Sequence, residues 1–206
     1  GEKEFYQCLD LKWIPPELRE NTGEIKASQN KKLPNLVKEK DIKGDLHLHS
    51  NFDIETSDDI GDRSFKEMIK KAKKLSYQYL AFTEHNPAQR GHTQKEIVAL
   101  LKRKKELIDE INYSEKRQQG KRIKKLVRAN FTQKERAIFV FNSLEIDVKP
   151  NGELALPETA FPYLDFAIAG IHSQFRLSKQ AMTARILKAL SHPKVKILAH
   201  PTGRLL

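Results

Sequence analysis

The sequence predicts an α/β fold on a parallel sheet that closes, or nearly closes, into a barrel. Short apolar runs alternate with amphipathic stretches, the order of consecutive strand–helix units. Five of these runs, at 44–49, 78–84, 138–148, 165–171 and 195–199, carry a histidine or an acid at or just past their C-terminal end. Polar groups delivered from the ends of many parallel strands meet when the sheet curls around a common mouth.

Each element follows from its own residues. Gly1 to about Lys40 reads as a tail from a preceding region. It holds a proline-punctuated docking segment, Trp13-Ile14-Pro15-Pro16-Glu17-Leu18-Arg19-Glu20, and a polar linker from Asn21 to Lys40. The compact part begins near Asp41. In the strand Gly44-Asp45-Leu46-His47-Leu48-His49, residues two apart share a side, so His47 and His49 face the same way as Asp45. A long loop then leads to a helix from about Ser64 to Leu75. Ser64 is its N-cap, Glu67 completes a capping box, and Met68, Ile69, Ala72 and Leu75 form its apolar stripe.

Tyr79-Leu80-Ala81-Phe82-Thr83-Glu84-His85 is an apolar strand ending in histidine. A basic helical hairpin follows at about 94–130, turning at Gln118-Gln119-Gly120, within an insertion spanning about 94–136. The run Phe139 to Asp147 alternates and puts Glu145 and Asp147 on one side. Pro150-Asn151-Gly152 makes a turn, strand 165–171 leads to His172, and Ser178 caps a helix reaching about Leu190. Strand 195–199 ends against His200.

Lys and Arg number 38 against 27 Asp and Glu, a formal +11 that favours polyanionic partners. Between Lys95 and Arg136 fourteen basic residues face six acids, so +8 of that total lies in the insertion. The hairpin is therefore either a sequence-blind grip on a nucleic-acid backbone or a solvated helix pair with a lysine-rich outer face. No apolar run approaches a membrane span, and the charged start is unlike a signal peptide. The lone Cys8 excludes an intramolecular disulfide and fits a reducing cytoplasm.

His47, His49, His85, Glu145, His172 and His200, with an aspartate of the 53–62 loop, are too many ligands for one tetrahedral ion. Two or three divalent ions are implied, with Glu145 able to bridge them. Mixed imidazole and carboxylate ligation without thiolate suits Mn, Zn or Fe. Ions ~3.5–4 Å apart lower the pKa of a bridging water, generating hydroxide beside Glu145, and clamp the oxygens of a phosphoester. No Ser or Cys nucleophile motif and no glycine-rich phosphate loop is present. His92, in a loop, and His192, before Pro193, read as surface residues.

Gly44-Asp45-Leu46-His47-Leu48-His49-Ser50, Ala81-Phe82-Thr83-Glu84-His85, Leu144-Glu145-Ile146-Asp147, Ile171-His172-Ser173 and Ala199-His200-Pro201-Thr202-Gly203-Arg204 resemble successive motifs of the PHP (polymerase and histidinol phosphatase) superfamily. The subgroup most resembled is the PHP domain at the C-terminus of bacterial family X DNA polymerases. Even Trp13 to Glu20 is similar to the segment joining the polymerase part to that domain.

The resemblance implies a distorted (βα)7 barrel with a trinuclear metal centre. His47 and His49 would hold the first ion, and Glu145 would bridge it to a second held by His172 and His200. His85 would serve a third with a residue of the first loop. There Ser57-Asp58-Asp59-Ile60-Gly61 stands in place of a Ser-Asp-Gly motif, which favours Asp58 over its rivals Asp59 and Asp53. The family's final strands are not found after His200, so 41–206 reads as a PHP domain truncated at its C-terminal end. An adjacent polymerase domain is the implied partner in a longer parent chain. Arg176 and Arg204 follow ligand motifs and either contact a substrate phosphate or form salt bridges at the rim. The implied activity is metal-dependent 3′–5′ exonuclease action on DNA 3′ ends. The alternatives are a small-molecule phosphomonoesterase of histidinol-phosphatase type and a non-catalytic DNA-binding or structural module.

Overall fold

The computed structural model describes residues 1–128 and 137–202, with side chains given for all of these except 120–128. The chain divides into two compact units, Gly1–Ile42 and Lys43–Leu206. The first holds helices α1 (Glu2–Cys8) and α2 (Glu24–Gln29) with a single 3-10 turn at Pro16–Leu18 between them. Arg19 organises it: the guanidinium pairs with Glu2 at 2.7 Å, donates to the Ile14 carbonyl, and lies over the Tyr6 and Trp13 rings. The polar stretch after Asn21 is more than a linker, because it contains α2 and Ser28 donates to the Lys12 carbonyl at 2.5 Å.

The second unit is a mixed α/β structure. Its strands are β1 (Gly44–Leu48), β2 (Tyr79–Phe82), β3 (Phe139–Asn142), β4 (Glu145–Asp147), β5 (Ala167–Gly170) and β6 (Val195–Leu198). Every pairing between them is parallel, in the orders β1-β2-β3 and β4-β5-β6. The run expected as one strand over 138–148 is two. Its first half pairs with β2; after Ser143 and Leu144 its second half pairs with β5. Glu145 still bonds back to the Thr83 and Glu84 carbonyls, which joins the two sheets. This change of partner places Glu145 at the junction of the two sheets.

A second departure lies in β1. The pairing with β2 slips between Asp45 and Leu48, so one residue is extra on β1. Asp45 consequently borders a groove beside the following helix, together with Leu48, while His47 and His49 border the cleft. The Asp45 carboxylate accepts the His47 N–H at 3.0 Å.

Helix α3 (Phe65–Lys74) has the expected reciprocal cap between Ser64 and Glu67. Its buried face is Phe65, Ile69 and Ala72; Leu75 lies past the end and is exposed. Phe65 packs on Phe82 with ring centroids 4.3 Å apart. Helix α5 (Lys179–Leu190) is capped by the Ser178 hydroxyl. Gly152, at φ +80°, closes the turn after β4, where only glycine is free of strain.

The helical hairpin is not formed. A single helix, α4 (Gln94–Arg128), runs straight through Gln118-Gln119-Gly120. One glycine costs a helix about 1 kcal/mol, and the Lys, Arg and Gln around it are good helix formers. The remainder of the insertion, 129–136, lies outside the described residues. Ile97 and Leu101 of α4 join one apolar cluster, around Ile146 and Phe161, and Ile108 joins another, around Phe82 and Val140. Lys104, expected on the outer face, is fully buried between them. No described helix is long and apolar enough to cross a membrane.

Candidate metal centre

Parallel strands place all their C-terminal ends on one side, and five of the six deliver a candidate ligand there or just beyond. Glu145, 2% exposed, is the hub. Its Oε2 lies 2.8 Å from His47 Nε2, 3.2 Å from His49 Nε2 and 3.8 Å from His85 Nδ1. Its Oε1 lies 2.8 Å from His200 Nε2 and 3.1 Å from His172 Nε2. One carboxylate thus offers a different oxygen to each of two imidazole groups.

The polar groups behind the ligands fix their orientation. Asp147 Oδ1 is 2.5 Å from His172 Nδ1, which turns Nε2 toward Glu145 and to within 3.2 Å of His200 Nε2. Gly170 permits this approach, since a Cβ there would lie 2.6 Å from the His172 ring and 2.9 Å from Glu145 Oε1. Asp147 and then Glu145 push the His172 imidazolium up to about 10. The hydrogen bond to Glu145 likewise raises His47, whereas burial lowers His85. Burial pushes the Glu145 carboxyl up, but bonds from His172, His47 and His49 outweigh it and hold the group well below the carboxylate range. The hub is therefore anionic, and a cation entering the cluster displaces imidazole protons.

The residues present fit divalent ions. Two sets of three donor atoms, from His47, His49 and Glu145 and from His85, Glu145 and His172, each lie within 4.8 Å of one another. His85 Nδ1, which faces Glu145 at 3.8 Å, is buried without a hydrogen-bond partner. Such an orphan is costly unless something else binds there. The donors are all imidazole and carboxylate, a set suited to Zn, Mn or Fe.

The cleft above them holds about 720 Å³. Asp58 and Asp59 border it from the loop after β1, and Asp59 Oδ1 comes within 3.7 Å of His85 Nε2. Asp53 does not border it; its carboxylate accepts the Glu55 N–H. The opposite wall is apolar, from Ile171, Phe175, Met182, Ile186 and Leu198. Arg176 is exposed and is not part of the wall, although its neighbour Phe175 is; Arg204 lies outside the described residues. His92 pairs with Glu55 at 2.8 Å, and His192 stacks on Phe161 with centroids 4.0 Å apart; neither borders the cleft.

Three supporting groups escaped sequence reasoning: Asp147 as the partner of His172, the buried pair Glu84–Lys104, and Arg185. Lys104 had a legible signal. It falls on the apolar spacing Ile97, Leu101, Lys104, Ile108, which marks it as an inward position.

The PHP domain family model matches residues 45–198. The curated DNA polymerase/3'-5' exonuclease PolX of Bacillus subtilis (strain 168) is 32% identical over all 206 residues, and the chain spans 31% of that protein's length. Taken with a parallel sheet whose strand ends gather histidines around one glutamate, these matches show that the chain belongs to the PHP domain family.

Proposed function

We propose that this chain is a metal-dependent phosphoesterase acting on DNA 3′ ends as a 3′–5′ exonuclease. The observation that carries the proposal is the division of Glu145, whose two oxygens face two separate imidazole groups. That arrangement suits a carboxylate shared between neighbouring cations. The similarity to a polymerase/exonuclease points to DNA as the substrate, and the formal charge of +11 agrees with it. The proposal includes a distorted (βα)7 barrel, a catalytic domain over 41–206, and 1–40 as the join to a polymerase-like region.

Bound ions would polarise a phosphoryl oxygen and lower the pKa of a coordinated water. His47, His49 and Glu145 would hold one, and His85, His172 and His200 with Glu145 the others, with Asp58 or Asp59 closing the mouth. Asp147 fixes the His172 ring so that Nε2 faces inward. The apolar wall around Phe175 excludes water from one side of the cleft and offers a surface for a base or sugar. Three lysines of α4 are less available to a polyanion than their charge suggests. Among the described residues Lys104 is buried, Lys105 pairs with Asp109, and Lys102 lies 3.9 Å from Glu106.

A cleft of 720 Å³ also suits a small phosphate ester. Manganese-dependent release from a 3′-labelled oligonucleotide, measured beside release from small phosphate esters, separates the two. Preferential release of 3′ nucleotides, abolished by His47→Ala and by Glu145→Ala, is the expected result. DNA retention without turnover of either substrate would leave a binding module and defeat the proposal.

A further inference from the structure

Beneath the cleft lies a polar network that touches no candidate ligand side chain and faces no solvent. Lys104 (0% exposed) reaches in from α4. Its ammonium lies 2.5 Å from Glu84 Oε2 and donates to the Phe82 carbonyl at 2.9 Å and the Ser143 carbonyl at 2.5 Å. The other oxygen of Glu84 accepts the Ser50 N–H at 3.1 Å and the Ser50 hydroxyl at 2.6 Å. Ser50 and Glu84 are themselves 0% and 1% exposed.

Each contact falls beside a ligand in the chain. Ser50 follows His49, Glu84 precedes His85, and Ser143 stands two residues before Glu145. One ammonium and one carboxylate therefore tie together the ends of the three chain segments that carry His47, His49, His85 and Glu145. A buried ion pair is a poor source of stability, because desolvation offsets its attraction, and apolar replacements of similar volume often serve as well or better. A pair located here needs a different justification, and directionality supplies one. The ammonium donates to two carbonyls while pairing with the carboxylate, and the carboxylate accepts two bonds from one residue, whereas apolar packing at the same place would let the strand ends slide.

We infer that Lys104 and Glu84 are positioning residues of the metal centre, which set the spacing of His49, His85 and Glu145 by tying their strand ends together. The inference rests on the proposed metal centre and adds to it a role for a residue of the basic insertion. Loss of such outer support costs a metal site about 10- to 100-fold in affinity.

The test is Co²⁺ titration of the whole chain by calorimetry and visible absorption, with thermal unfolding of the metal-free protein alongside. Lys104→Met leaves Glu84 buried and unpaired, so both folding and affinity fall. The double variant Lys104→Met/Glu84→Leu removes both charges and is expected to recover the thermal midpoint. Its Co²⁺ affinity stays about 10-fold or more below wild type, with an altered ligand-field spectrum. Wild-type affinity and spectrum in the refolded double variant overturn the inference. Ser50→Ala, which deletes the hydroxyl's bond to Glu84 and the one it accepts from the Phe52 N–H but leaves the Lys104–Glu84 pair in place, keeps the test decisive if Lys104→Met does not fold. A loss of roughly threefold is expected there, and unchanged affinity again overturns the inference. Failure of the wild type to bind Co²⁺ would instead remove the metal centre itself.

Discussion

The two sides of the Glu145 hub are supported by different means. On the β1–β2 side, His47, His49 and His85 rise from segments tied by the Lys104–Glu84 pair. On the β5–β6 side the buried cation is Arg185 of α5, and it acts through carbonyls. It donates to Lys149 and Ser173 at 2.9 Å each and to Val148. Those carbonyls flank Asp147 and His172, so Arg185 fixes the carboxylate–imidazole couple. It does not reach β6. His200 stands beyond it, with a side chain 47% exposed and its backbone at φ +30°, a conformation that L-residues rarely adopt. The contrast teaches that similar imidazoles are supported by different means, a buried ion pair on one side and a carboxylate and carbonyls on the other, and that His200 is the most exposed of the five.

Removing the hub should erase the contrast. Glu145→Ala takes a ligand from both imidazole groups, and metal content by elemental analysis is expected to fall to background. Retention of even one ion per chain would show that the two sides bind independently. Next in size, His47→Ala and His200→Ala compare the sides directly. Loss of His47 should remove an ion outright, while loss of exposed His200 should weaken binding and leave the stoichiometry of the His47 side intact. Equal effects from the two would abolish the distinction drawn here.

Asp147→Asn probes the couple that Arg185 supports. The amide is neutral and a weaker acceptor, so His172 loses the first of the groups that hold its imidazolium at about 10. A fall in that titration midpoint by imidazole NMR is expected, along with a 10- to 100-fold loss of affinity. A mutant indistinguishable from wild type in both measurements would show that the 2.5 Å contact does not orient the ring.

What the sequence disclosed divides between the ligands and their supports. The convergence of His47, His49, His85, Glu145, His172 and His200 was legible, because each stands at or near a strand end and a strand end has a local signature. Their supports were less so: helical spacing marks Lys104 as inward, but its meeting with Glu84, and that of Arg185 with Ser173, is decided only by tertiary packing. A run such as Lys102-Arg103-Lys104-Lys105 reads as surface until the helical phase of each residue is counted. The split of 138–148 into β3 and β4 was hidden for a similar reason. Alternation of side chains persists through a change of pairing partner, and nothing in Asn142-Ser143-Leu144 announces one. The slip in β1 likewise has no glycine or proline within it to mark it, so strict alternation puts Asp45 on the face of His47. Gly120 erred in the opposite direction, a turn signal overruled by strong helix formers on either side.

The smallest effect concerns the loop that carries Asp58 and Asp59 to the His85 side. His92 reaches Glu55 at 2.8 Å and the Ala88 carbonyl at 2.9 Å, and Glu55 in turn accepts the Ala88 N–H through its carbonyl. Arg103 adds a bond to the Asp53 carbonyl at 2.6 Å. The loop is thus fastened at its near end, before the two aspartates. Glu55 raises the His92 imidazolium above its ordinary 6.5, with the Ala88 carbonyl second. A group raised on folding contributes fully below its unfolded value and loses that contribution as pH climbs through the folded one. The charge-assisted part of the His92 clasp should therefore be present at pH 6.5 and lost at some higher pH, leaving the Ala88 N–H bond to the Glu55 carbonyl and Arg103 to hold the loop. NMR titration should give His92 a midpoint above 6.5 in the wild type and a lower one in Glu55→Gln. A wild-type midpoint at or below 6.5 would mean that the Glu55–His92 contact does not form in solution, and the loop would then rest on its backbone bond and Arg103 at every pH.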